Sequence, residues 1–577
     1  MRFLACVLLG FPALFIGLNA RAQDAQQANQ PTNPNSTTTV HGIVRVGVSG
    51  EPLPRAMVRI NGDASTGVLS DADGRFEIAG VPDGPQSFQV VKPGYLDHEE
   101  TGADAISENP HSYARNVIVA PQMGDLVFTM ERVNSIQGQI QLSTGDVAEG
   151  ITVMLMRRTV QDGRAVWQFE ANAKTNSEGV YRFGELSDGV YALYTQPTMD
   201  SDAATNLVET GSDSKVAREG YASVFYPDAL DWAGAEKIHV AGGESAQANI
   251  ALTLEPFQSV TAMVTTPKVR SASDENVSIQ VMDAQSRPLP YTAQYDASTH
   301  TVQASLPDGT YSFLALLQTN EIHVLSARGG ELVNLTAVNS RVSRGETSFA
   351  VVGHAVSNLR IPMSEMRGNP IQVTVERSAN GSSSSEDPRI FVTLSQTGGG
   401  LADGMVGSYA EGSIAAPMQT QSPPPGSYWV HTSIAPKTLC EASFTAGGTS
   451  LAREPLVLGI AGTTAPLMLA LRDDCAKLTL SLPGSVGLSA GEERFYTVYA
   501  VPDFDSTEDV VPQTLRPSTG GKITLTGLTP GNYHVYTFDR PMALEYRNPA
   551  MLASLPGQAV TLAPGGEAEL TVEVPQR

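Results

Sequence analysis

Leu306-Pro307-Asp308-Gly309-Thr310-Tyr311 is one of five versions of a single phrase. The others are Val81-Pro82-Asp83-Gly84 with Phe88, Leu186-Ser187-Asp188-Gly189 with Tyr191, Pro424-Pro425-Gly426 with Tyr428, and Leu528-Thr529-Pro530-Gly531 with Tyr533. Pro and Asp favour a turn, Gly supplies the positive φ such turns often need, and the aromatic two residues on opens an apolar strand. The first copy departs, with Gln86 where the others carry Tyr. Upstream of the turn the pairs Phe76/Ile78, Tyr181/Phe183 and Ile523/Leu525 alternate with polar residues, the period of a strand with one buried face. The phrase therefore reads as a β-hairpin.

Outward from the turns, each interval closes on an alternating apolar strand: Leu126/Phe128/Met130, Ile250/Leu252/Leu254, Leu359/Ile361/Met363, Leu467/Leu469/Leu471 and Leu570/Val572/Val574. The turns recur at intervals of roughly 105 to 120 residues, enough for one seven-stranded sandwich each. Charged residues are only 17% of the chain, Gly and Pro are abundant, and no long amphipathic helix is visible. The fold class is all-β: a tandem array of about five immunoglobulin-like or transthyretin-like β-sandwich domains. Their expected limits are 39–133, 134–256 with a polar insertion over 200–220, 257–366, 367–474 and 475–577.

In the first interval, His41-Gly42-Ile43-Val44, Gly50-Glu51-Pro52-Leu53-Pro54-Arg55-Ala56-Met57-Val58, Ser70-Asp71-Ala72-Asp73-Gly74-Arg75-Phe76 and Lys92-Pro93-Gly94-Tyr95 follow in order. This run resembles the carboxypeptidase regulatory-like domain over about residues 39 to 131. The second interval keeps Asn176-Ser177-Glu178-Gly179-Val180-Tyr181-Arg182-Phe183 and resembles the same family; the last three keep only the turn and the closing strand. The resemblance implies an accessory sandwich, similar to starch-binding-like domains, rather than a catalytic one.

Residues 1–22 combine Arg2, an apolar run from Phe3 to Leu18, and Ala20-Arg21-Ala22, the pattern of a signal peptide cleaved after Ala22. Residues 23–38, rich in Gln, Asn, Pro, Ser and Thr, read as a disordered linker. The whole chain carries a net charge of −23, and loss of Arg2 and Arg21 makes it more acidic still. Such a surface repels nucleic acid and anionic lipid, leaving polysaccharides, envelope or extracellular proteins, or cations as partners. Cys6 leaves with the signal, so Cys440 and Cys475 are expected to pair as a disulfide in an oxidising compartment. Pro455 to Leu471 is apolar but broken by Gly459, Gly462 and prolines, so no membrane insertion is expected once the signal is removed.

Catalytic chemistry finds no foothold. None of the nine histidines has Glu three residues later, and at His98 that position is Thr101, so no zinc-peptidase ligand set exists. Gly487-Leu488-Ser489-Ala490-Gly491 fits a nucleophile elbow in letters, but Glu492 to Val501 alternates like a strand instead of forming the helix that the motif needs. Asp71-Ala72-Asp73-Gly74 lacks the closing Glu of a calcium loop and reads as a turn. No catalytic residue, metal site or cofactor is expected. One segment breaks the strand-and-turn monotony: Phe225-Tyr226-Pro227-Asp228 with Asp231-Trp232. Flat aromatics stack on pyranose faces while nearby carboxylates accept hydroxyl protons, which makes Tyr226, Asp228, Asp231 and Trp232 candidate carbohydrate-binding residues. Trp167 and Trp429 lie in strand-like runs and read as core.

The expectation is an exported, non-catalytic scaffold or interaction protein of the periplasm, cell envelope or extracellular space. The alternative is a polysaccharide-binding protein, and a remote third reading is a hydrolase whose carboxylates meet between domains.

Overall fold

A computed structural model describes residues 36–574 apart from 48, 62, 98–114, 201–217, 266–276, 329–330, 366–368, 379–387, 398–405, 415–417, 420–425, 460–462, 464, 484–495, 517–519 and 540–541. The signal peptide with its Ala22 cleavage point, most of the linker and the Gly487–Gly491 segment lie outside the described residues. The chain is all-β, with one helix of a single turn, Pro549–Leu552, among the described residues. Buried apolar side chains there gather into five large cores, drawn in turn from Val40 to Met130, Ile136 to Leu252, Val260 to Met363, Ile371 to Leu471 and Ala476 to Val572.

Each core lies between two sheets. In the first, strand Thr37–Val46 sits between Arg75–Pro82, antiparallel, and the closing strand Leu126–Arg132, parallel. The opposite sheet runs Asp63–Leu69, Met57–Ile60, Gly84–Val91, Arg115–Val119. Alternation decides the faces: Val40, Val44, Phe76, Ile78, Phe128 and Met130 all point inward and are buried. The same plan returns at Asn134–Leu142, Leu254–Thr265 and Ala476–Ser481. In the fourth core the strand before the turn shrinks to Met418–Gln419, and Cys440–Ala446 is added beyond the closing strand.

The repeated turn is not a hairpin. Arg75–Pro82 belongs to one sheet and Gly84–Val91 to the other, and the strands flanking the other four copies are likewise divided between two sheets, the Pro424-Pro425 turn itself lying outside the described residues. The aromatic explains the arch: it is buried between the layers, so the chain must leave one sheet to insert it into the gap. Its hydroxyl then reaches back to a main-chain carbonyl four residues earlier, Tyr191 Oη to Ser187 O at 2.9 Å, Tyr311 Oη to Pro307 O at 3.1 Å and Tyr533 Oη to Thr529 O at 2.7 Å. The deviant first copy keeps the bond with another donor: Gln86 Nε2 lies 3.1 Å from Pro82 O. A Cβ on Gly309 would lie 2.7 Å from the Tyr311 hydroxyl, so the close return of the ring requires glycine there.

Two boundary expectations shift. The first described strand starts at Thr37 rather than Thr39, because the Ser36 and Thr38 hydroxyls both donate to Asp83 at 2.6 Å and fasten the chain to the first arch. The insertion is shorter than 200–220: Arg218–Tyr221 is a strand that pairs with the start of Leu254–Thr265, so the second and third cores share a sheet. In the third core, Gly309–Arg328 and Glu331–Val351 pair along their whole length as a long hairpin.

Candidate functional site: a three-way junction at His431

Strands Thr152–Gln161 and Arg164–Lys174 of the second core form a hairpin closed by Asp162-Gly163. Both turn residues have positive φ, 49° and 72°, as a two-residue turn between twisted strands demands. The tip reaches ground between the fourth and fifth cores. The Arg547 main-chain N–H donates to Gly163 O at 3.0 Å and its Nε to Asp162 O at 3.2 Å. A Cβ on Gly163 would lie 2.5 Å from the Tyr546 ring, so only glycine lets the tip meet that face.

Side chains from all three cores converge there. His431, on strand Gly426–Ala435 of the fourth core and 6% exposed, sets Nδ1 2.8 Å from Asp509 Oδ1 and Nε2 3.7 Å from Asp162 Oδ2. Arg547, 9% exposed, donates to Ser506 O at 2.7 Å, Glu508 O at 3.1 Å and Thr507 O at 3.3 Å, and stands 3.5 Å from Asp509. Arg164 stacks its guanidinium 3.3 Å from the centre of the Trp429 ring and donates to Ala452 O at 3.1 Å. Arg158 meets the buried Glu545 at 2.7 Å. Burial, then the nearby Asp509 charge, push the Asp162 carboxyl up, while His431 and Arg547 pull it down. Burial lowers Arg164 to about 10, which leaves it charged at neutral pH.

The nearest oxygen and nitrogen atoms of Asp162, His431 and Asp509 lie within 4.8 Å of one another, a spacing that would suit a metal ion. The donor set does not fit one. The two ring nitrogens of His431 face different carboxylates, and the Arg547 guanidinium already stands 3.5 Å from Asp509. The adjoining cavity is about 20 Å³, room for a single water and not for a sugar ring or peptide. The cluster is built as an ion-paired joint.

Beneath it, the fourth and fifth cores are locked together. Glu441, fully buried, accepts from Thr507 N at 2.8 Å and Thr507 Oγ1 at 2.6 Å. Thr432 N donates to Thr507 O at 3.0 Å, and Thr529 Oγ1 donates to Glu441 O at 2.7 Å. Burial pushes the Glu441 carboxyl up to about 7, against the Thr507 hydrogen bonds that lower it. Cys440 and Cys475 are joined as a disulfide, Cα atoms 5.9 Å apart, with Cys475 directly before the fifth core's first strand.

The carbohydrate candidates lie elsewhere, on the outer face of the second core. Asp228 and Asp231 are exposed, and Tyr226 is half-buried against that core. Asp231 Oδ1 accepts the Gly234 N–H at 3.0 Å, and Oδ2 is 3.7 Å from Arg287. Trp232 packs edge-on against Trp167 at 5.3 Å and Phe225 at 5.9 Å, with the Lys237 ammonium 4.2 Å from its ring centre. Its face is taken by its own chain. Trp167 and Trp429 are half-buried: Trp167 packs on a small buried cluster of Met156, Tyr194 and Phe225 beside the main second core, while burial of Tyr428 and Val430 turns Trp429 outward. Trp167 meets Trp232, and Trp429 becomes the seat for Arg164. The junction was invisible to sequence reading, although Asp162-Gly163 between alternating runs is a hairpin signal.

No curated protein matches the chain. Among solved structures, the Bacillus anthracis TIE protein aligns at 13% identity over 70% of this chain, which spans 64% of that protein's length, with a TM-score of 0.15. The minor pilin GBS52 of Streptococcus agalactiae aligns at 15% identity over 41% of this chain and 100% of its own, TM-score 0.18. The shaft pilin SpaA of Lactobacillus rhamnosus GG gives 11% over 38% and 98%, TM-score 0.16. Superpositions this poor carry no functional argument. Residues 39–113, in the first core, match the carboxypeptidase regulatory-like domain.

Proposed function

We propose that the chain is an exported, non-catalytic scaffold of the cell envelope or extracellular space, whose second, fourth and fifth cores are held in one fixed arrangement so that outer faces are presented at set angles to protein partners. The observation that carries this is the Asp162-Gly163 tip clamped between Arg547, Tyr546 and His431. Such a joint between distant parts of a chain serves shape, and its cavity leaves no space for a substrate. The signal-like first 22 residues support export, and among the described residues no helix is long and apolar enough to cross a membrane. The net charge of −23 turns the outer faces away from nucleic acid. Small-angle scattering tests the reading: the full chain should give one concentration-independent maximum dimension, and Gly163→Val should lengthen it. Scattering from the unaltered chain that requires freely jointed units would sink it.

A further inference from the structure

Away from the junction lies a groove of about 500 Å³ where the second and third cores share a sheet. One wall is the outer face of that sheet, where Ser259 is opposite Ser305 and Gln294 opposite Gln303. Arg218, on the strand that joins the two cores, lines the other side. The floor holds Phe257 and Tyr291, whose rings meet edge to face at 6.4 Å.

The state of these side chains singles the groove out. On the corresponding outer face of the fifth core the polar groups are spent on one another: Thr479 with Thr524 at 3.0 Å, Lys477 with Glu567 at 2.7 Å, Lys522 with Glu569 at 3.0 Å. In the groove, Ser259, Gln294, Gln303, Ser305 and Arg218 make no side-chain hydrogen bond or ion pair with any other described residue. Five donor-bearing side chains, four of them able to accept as well, thus converge on one hollow with no side-chain partner among the described residues.

We infer that this groove binds a short stretch of a neutral polysaccharide. Hydroxyls and side-chain amides both donate and accept, as vicinal sugar hydroxyls do, and a volume of this size is ordinary for a ligand cleft. Tyr291, half-buried and backed by the buried Phe257 ring, offers apolar surface to the C–H face of a pyranose. A polyanion is disfavoured because a single guanidinium stands against a chain of net charge −23. The site is separate from the Trp232 segment and does not depend on the junction.

The test is affinity electrophoresis of the full chain in gels containing soluble starch, xyloglucan, laminarin or galactomannan, with polygalacturonate as the anionic counterpart. Retardation by at least one neutral polymer is expected. Gln294→Ala combined with Gln303→Ala should raise the apparent Kd about tenfold, as loss of two ordinary hydrogen bonds implies. Both glutamines are exposed, so circular dichroism should be unchanged, and Trp232→Ala should leave retardation within about twofold of the parent. No retardation in any neutral gel, retardation in polygalacturonate alone, or full retardation of the double variant would each overturn the assignment.

Discussion

Replacing Arg547 by Met keeps an unbranched apolar stem and removes the guanidinium with its charge and every donor. In the folded protein that guanidinium satisfies four main-chain carbonyls, those of Asp162, Ser506, Thr507 and Glu508, and faces the carboxylate of Asp509. Breaking a buried, charge-compensated cluster from one side costs about 3–5 kcal/mol in all. Most of that falls on the Ser506–Asp509 loop. The share lying across the junction is one charge-assisted hydrogen bond and the field on Asp162, about 1.5–3 kcal/mol, which multiplies opening of the tip roughly ten- to hundredfold. Hydrogen exchange followed by mass spectrometry reads this directly, because the Arg547 amide is protected only by Gly163 O across the joint. Peptides covering 158–166 and 543–549 should exchange faster by that factor in the variant, while peptides over Met57–Ile60 in the first core stay as they were. Unchanged exchange at the junction in a natively folded variant would refute the reasoning, and equal acceleration in the first core would show that Arg547 holds the fold rather than the joint.

Glu441→Gln tests the lock below. With its folded value near 7 against an ordinary 4.5, Glu441 keeps a proton that the unfolded chain has released, so its contribution to stability falls as pH rises from about 4.5 to 7 and is flat above. The drop is on the order of 3 kcal/mol. Urea midpoints of parent and variant should converge differently across that window, and parallel pH profiles would contradict the raised value. Reducing the Cys440–Cys475 bond, which spans a sequence separation of 35, should cost the fourth and fifth cores about 3–4 kcal/mol by the chain-entropy argument. Calorimetry with and without reductant checks it, and superimposable traces count against a formed disulfide. Tyr533→Phe strands the Thr529 carbonyl inside the fifth core and should cost about 1–2 kcal/mol. A midpoint within about 0.3 kcal/mol of the parent would mean that the arch does not depend on that bond.

Fold class was legible because it rests on local period: Phe76/Ile78 and Leu126/Phe128/Met130 alternate, and the structure buries the same residues. The arch was legible as a turn but not as a sheet crossing, since a hairpin and an arch share turn chemistry and differ only in where each flanking strand finds its partner. Gln86 shows the limit from the other side. As a letter it broke the pattern, yet its amide reaches Pro82 O as the tyrosine hydroxyls reach their own carbonyls, so what recurs is a donor at a position rather than a ring. Trp232 was singled out for rarity, and rarity does not distinguish a ring open to a ligand from one covered by Lys237. His431 and Asp509 carry no local motif at all, and the bond that organises their cluster joins residues 385 apart.

That separation bears on why the joint needs so many parts. Bringing together two points separated by n flexible residues costs about (3/2)RT ln n, roughly 5 kcal/mol for several hundred residues, more than one surface contact returns. The chain lowers the cost by stiffening the path first. The second and third cores are fused through Arg218–Tyr221 pairing with Leu254–Thr265, and the fourth and fifth through Glu441, Thr507 and the disulfide. Arg344 Nη2 reaches Gly459 O at 3.4 Å between the third and fourth cores. With those links in place the tip closes a ring of preformed blocks rather than a free loop. The contacts of Arg547, Arg164 on Trp429 and Arg158 on Glu545 then need only outweigh the residual freedom between blocks. With Gly163 fixing the ring, the groove between the second and third cores lies beside the pairing of Arg218–Tyr221 with Leu254–Thr265, a link that orders its walls without a ligand to organise them.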